Sequence, residues 1–391
     1  MIQEKELNLR LNNFKDYLDK NYKWDIALIF SKVNQYYFTG TLQEGVLAVL
    51  KSGQSIYFVR KSLERAKLET NFDCRFMTSF SDVAKTLGAN FENVLLENDA
   101  LTYSNFCRLK KYIGFNNSFD VSDALLKVRA VKTNFEIEII KKCGKLHAEF
   151  MNKVIPSLLK EGISELDFAN ELYYQMIKCG HHGVSRFNMF QMETIGGQFA
   201  FAENSLYPTN FDGPGGTKGM SPAVPVLGDK NRKLKRGDLV FVDIAFGIDG
   251  YHTDKTQSYF FGAKLDEEVK KHHNMCIQIQ KQIAALLKPG AKCFEVYEKV
   301  FGGISADFLP GFMNIKDGRA KFLAHGVGLH VDELPIIAMS VKDELKDNMV
   351  IAVEPKKAIP GVGLVGSEDT YIVTKGGGEM ITGGEREIFL V

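Results

Sequence analysis

Between Asp238 and Phe260 the chain carries two strand-like runs, Asp238 to Phe246 and Tyr251 to Phe260, joined around Asp249-Gly250. That dipeptide favours a two-residue type I′ hairpin, because both central positions take positive φ. Such a turn fixes the register. Ile248 faces Tyr251, Ala245 faces Asp254 and Asp243 faces Thr256, so Asp243 and Asp254 share one face as diagonal neighbours. Diagonal neighbours stand roughly 7 to 8 Å apart at the backbone. From there two carboxylates can converge on a pair of cations about 3.5 to 4 Å apart. Ala245, between them, leaves room.

A second hairpin is expected downstream. Val350-Ile351-Ala352-Val353-Glu354 precedes a Pro360-Gly361 turn, and Glu368-Asp369-Thr370-Tyr371-Ile372-Val373 follows it. A three-residue loop at Pro360 to Val362 sets Glu354 opposite Glu368. Between the hairpins lies His325, in Phe322-Leu323-Ala324-His325-Gly326-Val327-Gly328, where the glycines allow close backbone approach. Single carboxylates on strands are usually solvated edge charges. Four facing a common core would be prohibitively costly without cations, and two divalent ions offset four carboxylates in formal charge. Oxygen-rich ligation with one imidazole suits Mn, Co, Fe or Zn.

The 391 residues are enough for two domains, and 45% hydrophobic with 25% charged residues is a globular composition. A net charge of +1 gives no global field for nucleic acid or anionic lipid, so neither is expected as a partner. The opening Met1-Ile2-Gln3-Glu4-Lys5-Glu6 leads into no apolar stretch, and no run reaches the roughly 18 residues of a membrane span, so a cytoplasmic protein is expected. Cys74, Cys107, Cys143, Cys179, Cys276 and Cys293 form no CxxC pair and read as reduced, mostly buried thiols.

The first third alternates helix and strand signals, with an amphipathic start at Leu7 to Leu18 and apolar runs at Asp25 to Ser31, Gly45 to Leu50, Ile56 to Val59 and Val94 to Glu97. An α/β domain follows from that alternation. A boundary near Ser122 to Lys132 divides the chain into residues 1–127 and 128–391. Thr133 and Glu136 form a capping box opening a helix with the stripe Ile139, Cys143, Leu146, Phe150 and Val154, which ends around Pro156 and Gly162. Ser164 opens a second helix, stopped by Gly180. Phe187 to Gly228 reads as irregular loops at the rim of a site. Gly213 to Gly219 lacks the ending of a phosphate-binding loop, and the GxGxxG at Gly361 to Gly366 leads into no helix, so neither signals a nucleotide.

These motifs, in this order and spacing, resemble the pita-bread metallopeptidase family, which includes methionine aminopeptidase, prolidase and Xaa-Pro aminopeptidase. The matching residues are Asp243, Gly250-Tyr251-His252-Thr253-Asp254, His325-Gly326-Val327-Gly328-Leu329, Glu354-Pro355 and Glu368-Asp369. Asn34-Gln35-Tyr36-Tyr37-Phe38-Thr39-Gly40 is similar to a motif of the creatinase and prolidase N-terminal domain, and Arg129-Ala130-Val131-Lys132 to the entry of the catalytic one. The resemblance implies a creatinase-like α/β domain, then an α+β pita-bread domain holding two divalent ions on Asp243, Asp254, His325, Glu354 and Glu368. It implies removal of N-terminal residues from a peptide substrate through a metal-bridging hydroxide, with Glu354 as ligand and general base. It also favours a homodimer.

Three departures bear on the substrate. Around Val226 and Leu227 a family histidine is missing, another is replaced by Asp332, and an arginine two before the last Glu is replaced by Gly366. His252 and His330 are the candidate substitutes for substrate binding. His181 and His182 read as a loop pair, His272 and His273 as a solvated helix face. Two other functions stay open: a metal-dependent amidase acting on a non-peptide small molecule, and a metal-binding homologue without turnover.

Overall fold

Four apolar residues in a row, Ile26–Ile29, form the strand β1 and are buried on both faces, as a central strand covered on each side requires. In the computed structural model, which describes residues 2–189, 192–262, 264–315 and 318–391, the chain divides into Met1–Arg129 and Ala130–Val391. The first unit opens with helix α1 (Glu4–Asn21), and β1 pairs antiparallel with β2 (Gly45–Leu50). β2 continues to β3 (Ile56–Val59), and β3 pairs in parallel with β4 (Cys74–Phe76). On its other side β1 pairs in parallel with β5 (Asn90–Leu96), which pairs with β6 (Gly114–Asp120), giving the order β4-β3-β2-β1-β5-β6. This mixed sheet is the expected α/β domain. The Asn34 motif works inside it: Asn34 donates to Glu97 Oε1 at 2.5 Å and accepts from Arg129 at 2.7 Å, while Glu97 Oε2 takes the N–H groups of Phe30 and Ser31. A buried carboxylate is thus fully bonded.

In the second unit, helix α2 (Asn134–Glu149) begins at Thr133 with the capping box formed in both directions. Its buried face is centred differently from the expected stripe. Cys143 and Phe150 are buried, but Ile139, Leu146 and Val154 are only half-buried, and Glu136, Ile140 and His147 take the centre. The apolar count misled because two polar residues find partners: Tyr251 donates to Glu136, and His147 Nδ1 lies 3.1 Å from Thr253 Oγ1. A π turn at Phe150–Val154 follows, and Pro156 sits in the first turn of the next short helix. Helix α3 (Glu165–Lys178) is capped by Ser164 through the Asp167 N–H, and Gly180 leaves it at φ 102.

One sheet places β7 (Gly197–Phe201) beside β8 (Asp238–Ile248), which pairs with β9 (Tyr251–Phe261). β7 lies within the segment expected to be irregular. Helices α4 (Glu267–Leu286) and α5 (Cys293–Phe301) precede a second sheet, built from β10 (Phe322–Gly326), β11 (Glu333–Ala338) and β12 (Val350–Val353). The hairpin β13 (Lys356–Ile359) with β14 (Gly363–Gly366) follows, and β15 (Asp369–Thr374) with β16 (Gly377–Met380) completes the sheet in the order β11-β10-β12-β15-β16. His273 on α4 is buried beside Cys276, Ile277 and Gln280 and lies 2.6 Å from the Arg386 carbonyl, so that pair does not form a solvated face. All six cysteines are free thiols, four of them buried. Among the described residues no helix is long and apolar enough to cross a membrane.

Candidate metal centre

The Asp249-Gly250 turn has φ values of 49° and 88°, the signature of type I′, and the register is the expected one: Asp243 opposite Thr256, Ala245 opposite Asp254. The second hairpin also keeps its expected register. Ile359 pairs with Gly363 around the loop Pro360 to Val362, and Val353 pairs with Asp369 beyond it, so Glu354 falls opposite Glu368. The hairpins meet where Thr256 and Glu368 exchange backbone hydrogen bonds. His325 pairs with Ala352, which makes Glu354 its diagonal neighbour on the same face.

Asp254, His325 and Glu368 each bring one ligand atom to a point where all lie within 4.8 Å of one another. Glu354 Oε1 and Glu368 Oε1 stand 3.6 and 3.7 Å from His325 Nε2. His325 Nδ1 lies 3.1 Å from the Gly326 carbonyl, and a proton shared there leaves Nε2 with its lone pair toward the carboxylates, the tautomer a metal-binding imidazole needs. Glu368 Oε1 is buried without a hydrogen-bond partner. An orphaned carboxylate oxygen beside an imidazole and a second carboxylate fits a divalent cation.

Sequence reasoning missed a residue here. Lys356 Nζ lies 2.9 Å from Asp243 Oδ2, 2.7 Å from Glu354 Oε2 and 3.0 Å from Glu368 Oε2. The signal was available, because Lys356 lies two residues beyond Glu354, which follows the strand Val350–Val353, and in extended backbone such positions share a face. Thr256 Oγ1 adds a contact of 2.8 Å to Asp243 Oδ1 and one of 2.7 Å to Glu368 Oε2.

The charges shape one another. Burial pushes Asp243 up to about 6 and Glu354 up to about 7, although Lys356 opposes the shift at both, and burial with neighbouring carboxylates raises Asp254 well above its ordinary value. Burial works against ionised Glu368 as well, yet Lys356 and His325 hold it below the usual carboxylate range. Burial opposes a proton on His325, but Glu368, Glu354 and Asp254 push it up to about 10. A proton on Nε2 and a divalent cation are alternatives at one place, so metal uptake there releases a proton.

The other candidates divide. His252 lies beside the site in sequence, but its buried ring is committed elsewhere: Nδ1 is 3.1 Å from the Gly328 carbonyl, and Nε2 is 3.4 Å from the Val184 carbonyl and 3.3 Å from His182 Nε2. Through Gly328 it braces the loop that follows His325. His181 and His182 are more than a loop pair, since their Nδ1 atoms accept from Gly247 and Gly250 N–H at the hairpin turn. His330 is buried, its N–H on Glu333 and its carbonyl on the Gly328 N–H. Asp332 accepts from the Asn188 N–H, and burial raises its pKa. Gly366, at φ 150°, has no space for the arginine of the resemblance: a Cβ would lie 2.5 Å from the Pro355 carbonyl oxygen and 2.9 Å from Lys356 Cγ. The rejected phosphate loop has its own place, with Gly215 packed so closely that a Cβ would sit 3.1 Å from Asp243 Oδ2.

Residues 138–375 match metallopeptidase family M24, and residues 10–131 match the creatinase/prolidase N-terminal domain. The chain is 26% identical over 385 residues to an Xaa-Pro dipeptidase of Pyrococcus horikoshii, covering 98% of this chain and 99% of that one. It is 27% identical over 381 residues to an Xaa-Pro dipeptidase of Pyrococcus furiosus, with 97% and 99% covered. Among solved structures, the prolidase from Pyrococcus horikoshii superposes with a TM-score of 0.80 at 24% identity, covering 98% of this chain and all 100% of that one. With its catalytic unit matched along most of its length, the chain belongs to metallopeptidase family M24 and carries a creatinase/prolidase domain ahead of the pita-bread domain.

Proposed function

We propose that the protein is a metal-dependent Xaa-Pro peptidase that removes N-terminal residues from peptides. The observation that carries the reading is the convergence of Asp254, His325 and Glu368 around the unpartnered Glu368 Oε1. The two dipeptidase relatives, similar along nearly their whole length, support the substrate class. Asp254, His325 and Glu368 would hold the ion, with Glu354 Oε1 beside them. When bound, such an ion polarises a carbonyl and lowers the pKa of water toward roughly 7. Glu354 then takes a proton at Oε1 and returns it to the departing amine, as its place beside His325 allows. Lys356 holds the far oxygens of Glu354 and Glu368, fixing both carboxylates in one orientation.

His330 is retained as a substrate contact, while His252 is not. The metal is Mn, Co, Zn or Fe by ligand chemistry. The expected second ion would need oxygens of Asp243, Glu354 and Glu368 that now face Lys356. The presence of all five expected ligand residues favours that two-ion reading; the position of Lys356 opposes it. A homodimer and a cytosolic location complete the proposal, on the resemblance and on six unpaired thiols.

The test is kcat/KM on Ala-Pro, Ala-Pro-Ala and Ala-Ala-Ala with Mn, Co or Zn, and after chelation. Turnover of proline peptides that disappears on chelation is expected. Ala-Pro-Ala should exceed Ala-Pro, because Gly366 offers a dipeptide carboxylate no guanidinium fork. Hydrolysis unaffected by chelation, or none of any peptide, would overturn the reading.

A further inference from the structure

Glu354 and Glu368 each turn their two oxygens toward different neighbours. Both Oε1 atoms face His325 Nε2, at 3.6 and 3.7 Å, and both Oε2 atoms face Lys356 Nζ, at 2.7 and 3.0 Å. Asp243 Oδ2, at 2.9 Å, completes the lysine side. An ammonium has three N–H bonds, and three carboxylate oxygens take them all. The side chain is 1% exposed, so water cannot replace those partners. The two halves differ in satisfaction. On the lysine side each of the three oxygens has a hydrogen bond, whereas on the histidine side Glu368 Oε1 has none.

The sequence makes room for this arrangement. Lys356 pairs across the hairpin with Gly366, and the missing side chain at 366 leaves the space its stem occupies, 2.9 Å from where a Cβ would stand. Gly366 and Lys356 are one structural unit: an arginine at 366 and the present path of Lys356 exclude each other.

We infer that Lys356 is a resident cation standing in place of one of two metal ions, so that the chain binds one divalent ion, between Asp254, His325 and Glu368 with Glu354 Oε1 beside it. The inference rests on the metal-centre reading above. A first-row divalent ion takes carboxylate oxygens at about 2.0 to 2.2 Å. The oxygens it would need on the lysine side already surround an ammonium at 2.7 to 3.0 Å, and a second cation cannot share them with it. An ammonium also cannot activate a water by coordination. Lys356 therefore supplies charge and orientation at the Asp243 side permanently, while only the His325 side exchanges its ion.

The measurement is metal uptake by the full chain, stripped of metal and titrated with MnCl2 by calorimetry, with elemental analysis after gel filtration. Wild type should take up one Mn per chain, Lys356→Ala two, Lys356→Arg one and Asp254→Asn none. Two ions in wild type, or one in a folded Lys356→Ala protein, would overturn the inference while leaving the metal centre standing. If Lys356→Ala does not fold, the wild-type count decides. No uptake by any of the four proteins would remove the metal-centre reading itself, and the inference with it.

Discussion

Asp369 shows how much of the site's precision comes from residues that touch no metal. It follows Glu368 and is fully buried, with Lys255 Nζ at 2.5 Å, Thr382 Oγ1 at 3.0 Å and Gln280 Nε2 at 3.3 Å. Lys255 in turn follows Asp254, so this ion pair ties the two hairpins together directly behind the ligands. Breaking a buried pair by removing one partner costs about 3 to 5 kcal/mol. Lys255→Met should lose about that much in chemical denaturation; a variant as stable as wild type would show that the pair is not needed. His181 and His182 make a prediction of opposite kind. Burial pushes both down to about 4 from an ordinary 6.5, so between those values the unfolded chain binds protons that the folded one does not. Stability contributed by the neutral rings is full above pH 6.5 and falls as pH drops toward 4, by up to about 1.4 kcal/mol per pH unit for each ring. Measured with metal bound, His182→Gln should lose less stability than wild type between pH 6.5 and 4.5. Parallel curves would contradict the assignment. At this scale residue type and spacing pointed to Asp243, Asp254, His325, Glu354 and Glu368 as candidate ligands, and Lys356 was signalled only by its offset from Glu354, while the committed ring of His252 could not be read because its partners lie across from it.

Elements were legible where turn chemistry dictates geometry. Asp249-Gly250 fixed eleven residues on each side of the first hairpin, so the pairing of Asp243 with Thr256 could be written down in advance, whereas Pro360-Gly361 set Glu354 opposite Glu368 only for a three-residue loop, which the structure has. β7 was hidden for an equally local reason. Gly196-Gly197-Gln198 carries no alternation, yet the edge of β8 needs a partner, and Gly197 fits so tightly that a Cβ would lie 2.3 Å from the Asp243 carbonyl oxygen. The loop Gly213 to Gly216 was likewise legible as glycine-rich and not as a wall of the site. At Gly215 a Cβ would sit 2.5 Å from Gln198 Oε1 and 3.1 Å from Asp243 Oδ2. Gly215→Ala must push the loop or Asp243 aside, and small misplacements in a reacting geometry cost up to about a hundredfold. Steady-state kinetics should show kcat/KM down by about tenfold or more, with a melting temperature close to wild type. Unchanged kinetics would mean that the loop does not border the substrate.

For the molecule, the α/β unit followed by the α+β unit was readable from the alternation of signals, and family membership follows from matches that span both. What sequence could not weigh was the balance of charge in the centre. Four buried carboxylates demand cations, and counting them suggests two divalent ions; the fold instead brings one lysine in. Metal uptake should therefore stabilise the chain through a single site, and turnover should follow occupancy of that site. The most direct test is peptidase activity as a function of metal added. Metal-free protein at a concentration far above the metal Kd is titrated with Mn, and the rate of Ala-Pro-Ala hydrolysis is read at each addition. Activity should rise linearly and saturate at one equivalent per chain. Saturation at two equivalents, or a rate indifferent to metal, would contradict this account.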